Sequence, residues 1–334
     1  MRFWDREKER AYLKRYFQTE PNAILFVYGP KSSGKSTLLM KVAQDLKNEP
    51  FRFLWYDLRE YAIEKMEDAI AVLLGAKGSV PFLLKLFDIN LHVVTVKMEE
   101  AAKVFRKELD PFVVLGRELL KVKERGMTPV IVFDEIQSFK DIYLNGERRL
   151  VDRLFNFFVA MTKVKHLAHV LVMTSDTFFI EEVYTSSALK NTSRYYLVDY
   201  FDDETALRIL MDEGLSEEES RYVIENIGGV PWMMEQIIGS DDPRTAVEEL
   251  YKDHRARLRE FFGRMYDEGG KKLQDKVKEV LKKILDGEEL EIEGEDRAFV
   301  RKLVEAEVLF YDPIEGEVRF QTRLDEKAAR ELIG

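Results

Sequence analysis

The sequence contains no cysteine and only four histidines among its 334 residues. Without cysteine, neither a disulfide framework nor a thiolate metal site can be built, and a reducing cytoplasm fits such a chain. Of the histidines, His92, His166, His169 and His254, only His166 and His169 are close. They flank the start of an apolar segment with no Cys or carboxylate partner, which suits packing or surface roles better than metal binding. A basic excess is also missing. The 52 Lys and Arg stand against 62 Asp and Glu, for a net charge of −10, which disfavours broad nucleic-acid binding but leaves room for a local basic patch. No apolar run approaches membrane-spanning length, and the first seven residues carry charges where a signal peptide has its apolar core. We therefore expect a cytoplasmic protein with no membrane partner. Internal repeats and low-complexity tracts are absent as well.

What is present is ample material for folding. Hydrophobic residues make up 46% and aromatics 12%, enough for substantial cores. The length exceeds what one core usually holds, so two or three domains are expected.

The most informative stretch runs from Ala23 to Asp45. Residues 23–28, Ala-Ile-Leu-Phe-Val-Tyr, have strand length and composition. They meet Gly29-Pro30-Lys31-Ser32-Ser33-Gly34-Lys35-Ser36-Thr37, and a periodic apolar segment of helical type follows. Strand, Gly-x4-Gly-Lys-Ser turn and helix together form the context that separates a phosphate-binding loop from a chance match. Its backbone N–H groups and the helix start would face phosphates, where the helix dipole also favours negative charge. Lys35 supplies a cation to the outer phosphates, and the Ser36 hydroxyl suits Mg²⁺. The bland reading, a Gly/Ser-rich surface turn, does not account for all the fixed positions. The expected ligand is a nucleotide with Mg²⁺.

Residues 128–137, Thr-Pro-Val-Ile-Val-Phe-Asp-Glu-Ile-Gln, form a continuous apolar run ending in two carboxylates, as expected for a strand covered on both faces. Open α/β sheets bind ligands at this end of their strands. Asp134 would reach Mg²⁺ directly or through water, and Glu135 would polarise an attacking water as general base. A buried strand ending in an acidic turn is common by itself, so the pairing with Gly29–Thr37 carries the argument. Residues 169–176, His-Val-Leu-Val-Met-Thr-Ser-Asp, repeat the pattern. Thr174 and Ser175 could touch the γ-phosphate or the lytic water, whereas a Ser/Asp helix cap is the plain alternative. Arg194, before another strand-like run, is a phosphate-facing cation or a surface charge.

Other segments set the frame. Residues 3–17 read as an amphipathic helix with Asp5 as N-cap and Trp4, Tyr12, Leu13, Tyr16 and Phe17 on its buried side. Its start either lies against a nucleotide base or simply packs. Residues 51–57 read as a strand, and 60–125 as mostly helical, with an irregular piece at 75–81 and a short strand or hairpin edge at 91–96. A helix from Glu147 to Val164 would bury Leu150, Leu154, Phe157, Phe158 and Met161. Helices follow over 203–226 and 232–265, punctuated by Gly228-Gly229-Val230-Pro231-Trp232, where Pro suits a first helical turn. From about Lys271, helix, acidic turn, helix and a hairpin across Asp312–Gly316 suggest a winged helix.

These residues resemble the archaeal ATPases of the signalling-type (STAND) branch of P-loop NTPases, related to AAA+ proteins. The carriers are Phe3-Trp4-Asp5-Arg6-Glu7, residues 28–37, Val130–Glu135, Thr174-Ser175-Asp176, Ser193-Arg194 and Gly228–Pro231, spanning nearly the whole chain in order. The resemblance implies an α/β fold: a P-loop NTPase parallel sheet with helices on both faces at 1–200, a small helical lid at 201–268 and a C-terminal winged helix at 269–334. It also implies that Pro231 lies against the adenine and Arg194 near the phosphates. Family members often carry Gly-Ser where this chain has Ser175-Asp176. A carboxylate there would repel a triphosphate unless it turned away or met a cation, so Thr174 or Ser175 is the better sensor.

Three functions are compatible with these residues. The favoured one is a slow ATPase switch whose winged helix addresses a protein partner or another copy of the chain. The second is a DNA-binding ATPase. Residues 271–334 hold 13 Lys and Arg against 17 Asp and Glu, and the candidate recognition helix sets Arg297, Arg301 and Lys302 among Glu295, Asp296, Glu305 and Glu307, which is poor for a groove-reading helix. The third, a small-molecule kinase, lacks an identifiable acceptor pocket. Arg148, Arg149 or Arg153 acting on a neighbouring subunit's nucleotide remains an alternative to three solvated arginines.

Overall fold

The computed structural model describes residues 3–75, 89–91, 98–144, 148–186 and 189–333. The chain divides into two compact units, Arg6–Tyr28 with Gly34–Val198, and Met1–Asp5 with Gly29–Ser33 and Asp199–Gly334.

The first of these is the sheet unit. Its elements are α1 (Glu7–Gln18), β1 (Ile24–Tyr28), α2 (Lys35–Asp45), β2 (Phe51–Asp57), α3 (Met66–Leu73), α4 (Met98–Phe105), α5 (Pro111–Glu124) and β3 (Thr128–Asp134). A short antiparallel pair, β4 (Tyr143–Leu144) and β5 (Arg148–Arg149), comes next. Then come α6 (Leu150–Val159), β6 (His169–Thr174), α7 (Thr177–Thr185) and β7 (Ser193–Leu197). Five parallel strands form one sheet in the order β2-β3-β6-β1-β7. Every residue of β1 and of β6 is buried, so both faces of the sheet are covered there. That explains why these strands read as unbroken apolar runs instead of alternating patterns. The α/β parallel-sheet fold expected from the sequence is the fold observed.

Several local expectations are corrected. Asp5 does not cap α1. Asp5 and Arg6 both take positive φ (45° and 69°), and no side chain caps this helix. Asp5 instead pairs with Arg208 of its own unit. Trp4 is not on the buried side of α1; it packs on the apolar cluster of the C-terminal unit and donates its indole N–H to Glu213 at 2.7 Å. Leu13, Tyr16 and Phe17 are buried as expected. The helix expected from Glu147 starts at Leu150, because Arg148 and Arg149 pair with β4, and it ends in one π-helical turn over Ala160–Val164. Its five expected core residues are all buried. The expectations for 75–81 and 91–96 fall outside the described residues, apart from Gly75 and Leu91.

His169 opens β6 among aromatic rings, with centroids of Tyr16, Phe17 and Phe51 at 5.0, 5.5 and 6.2 Å. Burial draws its imidazole pKa down from 6.5 to about 4, opposed by a hydrogen bond with the Phe17 backbone. Between those values the unfolded chain binds a proton that the folded chain refuses. Stability from this group is therefore complete above pH ~6.5 and is lost as the pH falls toward 4, by up to about 3 kcal/mol. Urea midpoints should drop over that interval, and H169F should flatten this part of the slope. An equally steep decline in H169F would refute the assignment.

The C-terminal unit is helical apart from one hairpin. It contains α8 (Asp203–Asp212), α9 (Glu217–Ile227), α10 (Pro231–Ile238), α11 (Pro243–Asp286), α12 (Arg297–Glu305), β8 (Leu309–Asp312), β9 (Glu317–Phe320) and α13 (Arg323–Ile333). Capping is explicit. Asp202 accepts from Thr205 N–H at 2.8 Å, and Ser216 with Glu219 forms a capping box. Pro231 occupies the first turn of α10 as expected. Before it, Gly229 is forced by a close approach, since a Cβ would lie 2.1 Å from the Phe201 carbonyl oxygen. The 44-residue α11 departs from helical geometry only at Gly269 and Gly270, close to the expected domain boundary. The terminal helix α13, buried through Leu324, Ala328 and Ala329, was not expected from the sequence.

Candidate active site

In a parallel sheet the strands end together, and here those ends carry the chemistry. Register sets Asp57 of β2 beside Asp134 of β3, and Tyr28 of β1 beside Thr174 of β6. β1 leads into the glycine turn, whose last residue, Gly34, takes φ +92° at the start of α2. No atom lies within 4 Å of a Cβ built there, so backbone conformation, and not space, demands glycine.

Lys35 opens α2 and is 6% exposed. Burial lowers its pKa from 10.5 to about 8, against the pull of Glu135 and Asp134 and with the repulsion of Arg59 and Arg6. Desolvation outweighs the attraction of the two carboxylates. Next to it, the Ser36 hydroxyl donates to Asp134 Oδ2 at 2.6 Å. Asp134 is almost fully buried, and desolvation raises its pKa to about 6 despite Arg59 and the Ser36 hydrogen bond.

Glu135 follows in a left-handed conformation, φ 62° and ψ 50°, with its N–H donating to the Met173 carbonyl at 2.9 Å. The carboxylate accepts from Gln137 Nε2 and from Ser175 Oγ at 3.2 Å, while Thr174 Oγ1 donates to Gln137 Oε1 at 2.8 Å. The polar end of β6 is thus tied to the acidic end of β3. Asp176 does what the plain alternative proposed: it caps α7, accepting from Phe179 N–H at 3.0 Å, and its carboxylate lies 3.8 Å from Lys140.

One expected role is not supported by this geometry. Arg194 is not part of the cluster. It lies within β7 opposite Leu25, four residues short of Gly29, or about 13 Å back along a strand. There its charge acts on Tyr12 and Tyr16. Arg149 and Arg153 are paired within the unit, with Asp152 and Glu182 and with Asp110. The Arg148 side chain lies outside the description. Pro231, Gly29, Pro30, Lys31, Ser32 and Ser33 belong to the other unit. Within it, Lys31 pairs with Glu307 and its carbonyl accepts from the Tyr200 hydroxyl at 3.0 Å.

Sequence reasoning missed two cations. Arg59, two residues beyond β2, forks onto Asp57, with Nε to Oδ1 at 2.8 Å and Nη2 to Oδ2 at 2.7 Å. The same Nη2 also reaches Asp134 Oδ2 at 2.8 Å. The Asp57 hydrogen bonds raise the guanidinium pKa still further. Arg6, 7% exposed, lies near enough for its charge to depress Lys35. Arg6 lies in the Phe3–Glu7 stretch that carries the resemblance, but no motif marks Arg59; the register of Asp57 with Asp134 is the signal that locates it.

Residues 3–237 match the model of an ATPase domain found predominantly in Archaea. The chain belongs to this archaeal ATPase family. Residues 244–333 match a second model, the C-terminal domain of MJ1010-like ATP-binding proteins. Among relatives of this archaeal ATPase, an uncharacterized ATP-binding protein of Methanocaldococcus jannaschii is 38% identical, covering 100% of this chain and 98% of its own. Another, from Pyrococcus abyssi, is 32% identical over 99% and 98%. The ORC2 protein of Aeropyrum pernix, solved in ADPNP and ADP complexes, superposes with a TM-score of 0.51 at 12% identity, covering 98% of this chain and 93% of its own. That likeness shows a shared fold. Among the described residues, no helix of the archaeal ATPase is long and apolar enough to cross a membrane.

Proposed function

We propose that this archaeal ATPase binds ATP with Mg²⁺ and hydrolyses it slowly. The observation that carries the reading is the convergence on Asp134 Oδ2: a hydroxyl from the glycine turn's helix at 2.6 Å, with a buried, depressed lysine beside both acids. Backbone N–H groups of residues 29–37 would cradle the phosphates, and Lys35 would neutralise the outer ones. Ser36 and Asp134 are the hard-oxygen donors suited to Mg²⁺. No cluster of three or more His, Asp or Glu able to hold an ion by itself occurs among the described residues, which fits a metal carried largely by phosphates and water. When bound, the ion would neutralise charge developing on the phosphates. Glu135, held by Ser175 and Gln137, would orient the attacking water and take its proton. Thr174 and Ser175 would report the γ-phosphate, and Pro231 would meet the adenine.

We place the domain borders at 1–200, 201–268 and 269–334, with a helical lid followed by a winged helix, and assign the chain to the signalling-type branch. Nucleotide state would reposition the winged helix toward a protein partner. The acidic balance of residues 271–334 supports a protein over DNA. Incubation with γ-labelled ATP and Mg²⁺ should release free phosphate at a slow, saturable rate. A labelled acceptor would point to a kinase instead, and no release with ATP still bound would leave a binding protein. DNA retention that weakens steeply with salt would reverse the choice of partner.

A further inference from the structure

Asp57 and Asp134 end neighbouring strands at the same level, and both are buried. Two carboxylates so placed require a cation, because a buried charge without a partner is costly. Asp134 Oδ2, the atom suited to the metal, accepts from both Ser36 Oγ and Arg59 Nη2. We infer that Arg59 holds the cation position on Asp134 until nucleotide arrives and then yields it to the metal. The inference rests on reading the site as one for Mg²⁺-nucleotide.

The geometry makes the exchange inexpensive. Nη2 is shared between the two aspartates, while Nε holds Asp57 separately. A small swing about Asp57 therefore breaks only the contact to Asp134, and the arginine, about half exposed, keeps a charged partner throughout. A free divalent ion brings no new partner for the guanidinium it displaces. An ion arriving with phosphates does, because the anions can receive the released guanidinium. Arg59 is thus a positioning residue that makes metal binding conditional on nucleotide.

The test uses Mn²⁺ as probe, followed by its free-ion electron paramagnetic resonance signal, with the full chain and no nucleotide. Wild type should bind Mn²⁺ weakly. R59Q should bind it roughly tenfold or more tightly, the worth of a charge-assisted hydrogen bond. Mant-ADP binding in EDTA, measured on the same preparations, checks both the fold and the site. Unchanged or weaker Mn²⁺ binding by R59Q that still takes mant-ADP would overturn the inference. Wild type that takes no mant-ADP would sink the nucleotide reading itself. Should R59Q not fold, R59K replaces it. Its point charge cannot fork on Asp57 and reach Asp134 together, so a smaller rise is expected, and equality with wild type overturns the proposal.

Discussion

Replacing Lys35 by alanine is expected to abolish tight ATP binding. The amine is buried at the start of α2, and burial draws its pKa down to about 8. Arg59 keeps its fork on Asp57, whereas Lys35 is the amine at the helix start itself. Losing a desolvated cation that serves a multiply charged ligand should weaken binding on the order of 10²-fold or more. Calorimetric titration with ATP and Mg²⁺ would measure it, with circular dichroism as the check on folding. Affinity within a few-fold of wild type would remove Lys35 from the site.

Glu135→Gln should separate binding from turnover. The amide preserves the size of the side chain and can still meet Ser175 and Gln137, yet it cannot take a proton from water. A general base is typically worth 10²–10⁴-fold, so single-turnover hydrolysis should slow by roughly that factor while ATP affinity stays close to wild type. Alanine would be a poorer probe, because it strands the donors of Gln137 and Ser175. A rate equal to wild type would leave water activation to another group.

How much of this was legible in the sequence differs from residue to residue, for physical reasons. The strands leading into residues 29–37 and over 130–134 were legible because strands covered on both faces must be apolar throughout, and the proposed phosphate turn because such a turn constrains residue type and spacing together. The ties from Thr174 and Ser175 to the acidic turn required only that β6 lie beside β3. Arg194 illustrates the opposite case. Its residue type suited a phosphate contact, but strand register, which leaves no mark in one strand's composition, places it opposite Leu25. Arg59 was invisible for the same reason: its partner Asp134 is 75 positions away. Asp5 had the chemistry of a cap, yet Asp5 and Arg6 adopt left-handed backbone that local propensity did not announce. The helix α13 was readable in principle, since Leu324 and Ala328 repeat at helical spacing, but the hairpin had appeared to complete the module.

Glu135 turns the chain through a left-handed conformation that glycine adopts freely and glutamate does not. The protein therefore gives up about 1 kcal/mol or more of its resistance to melting to aim one acid. A variant library screened for heat tolerance alone would be drawn to glycine at this position, and on the proposed role of Glu135 its hardiest survivors would hold ATP but turn it over slowly.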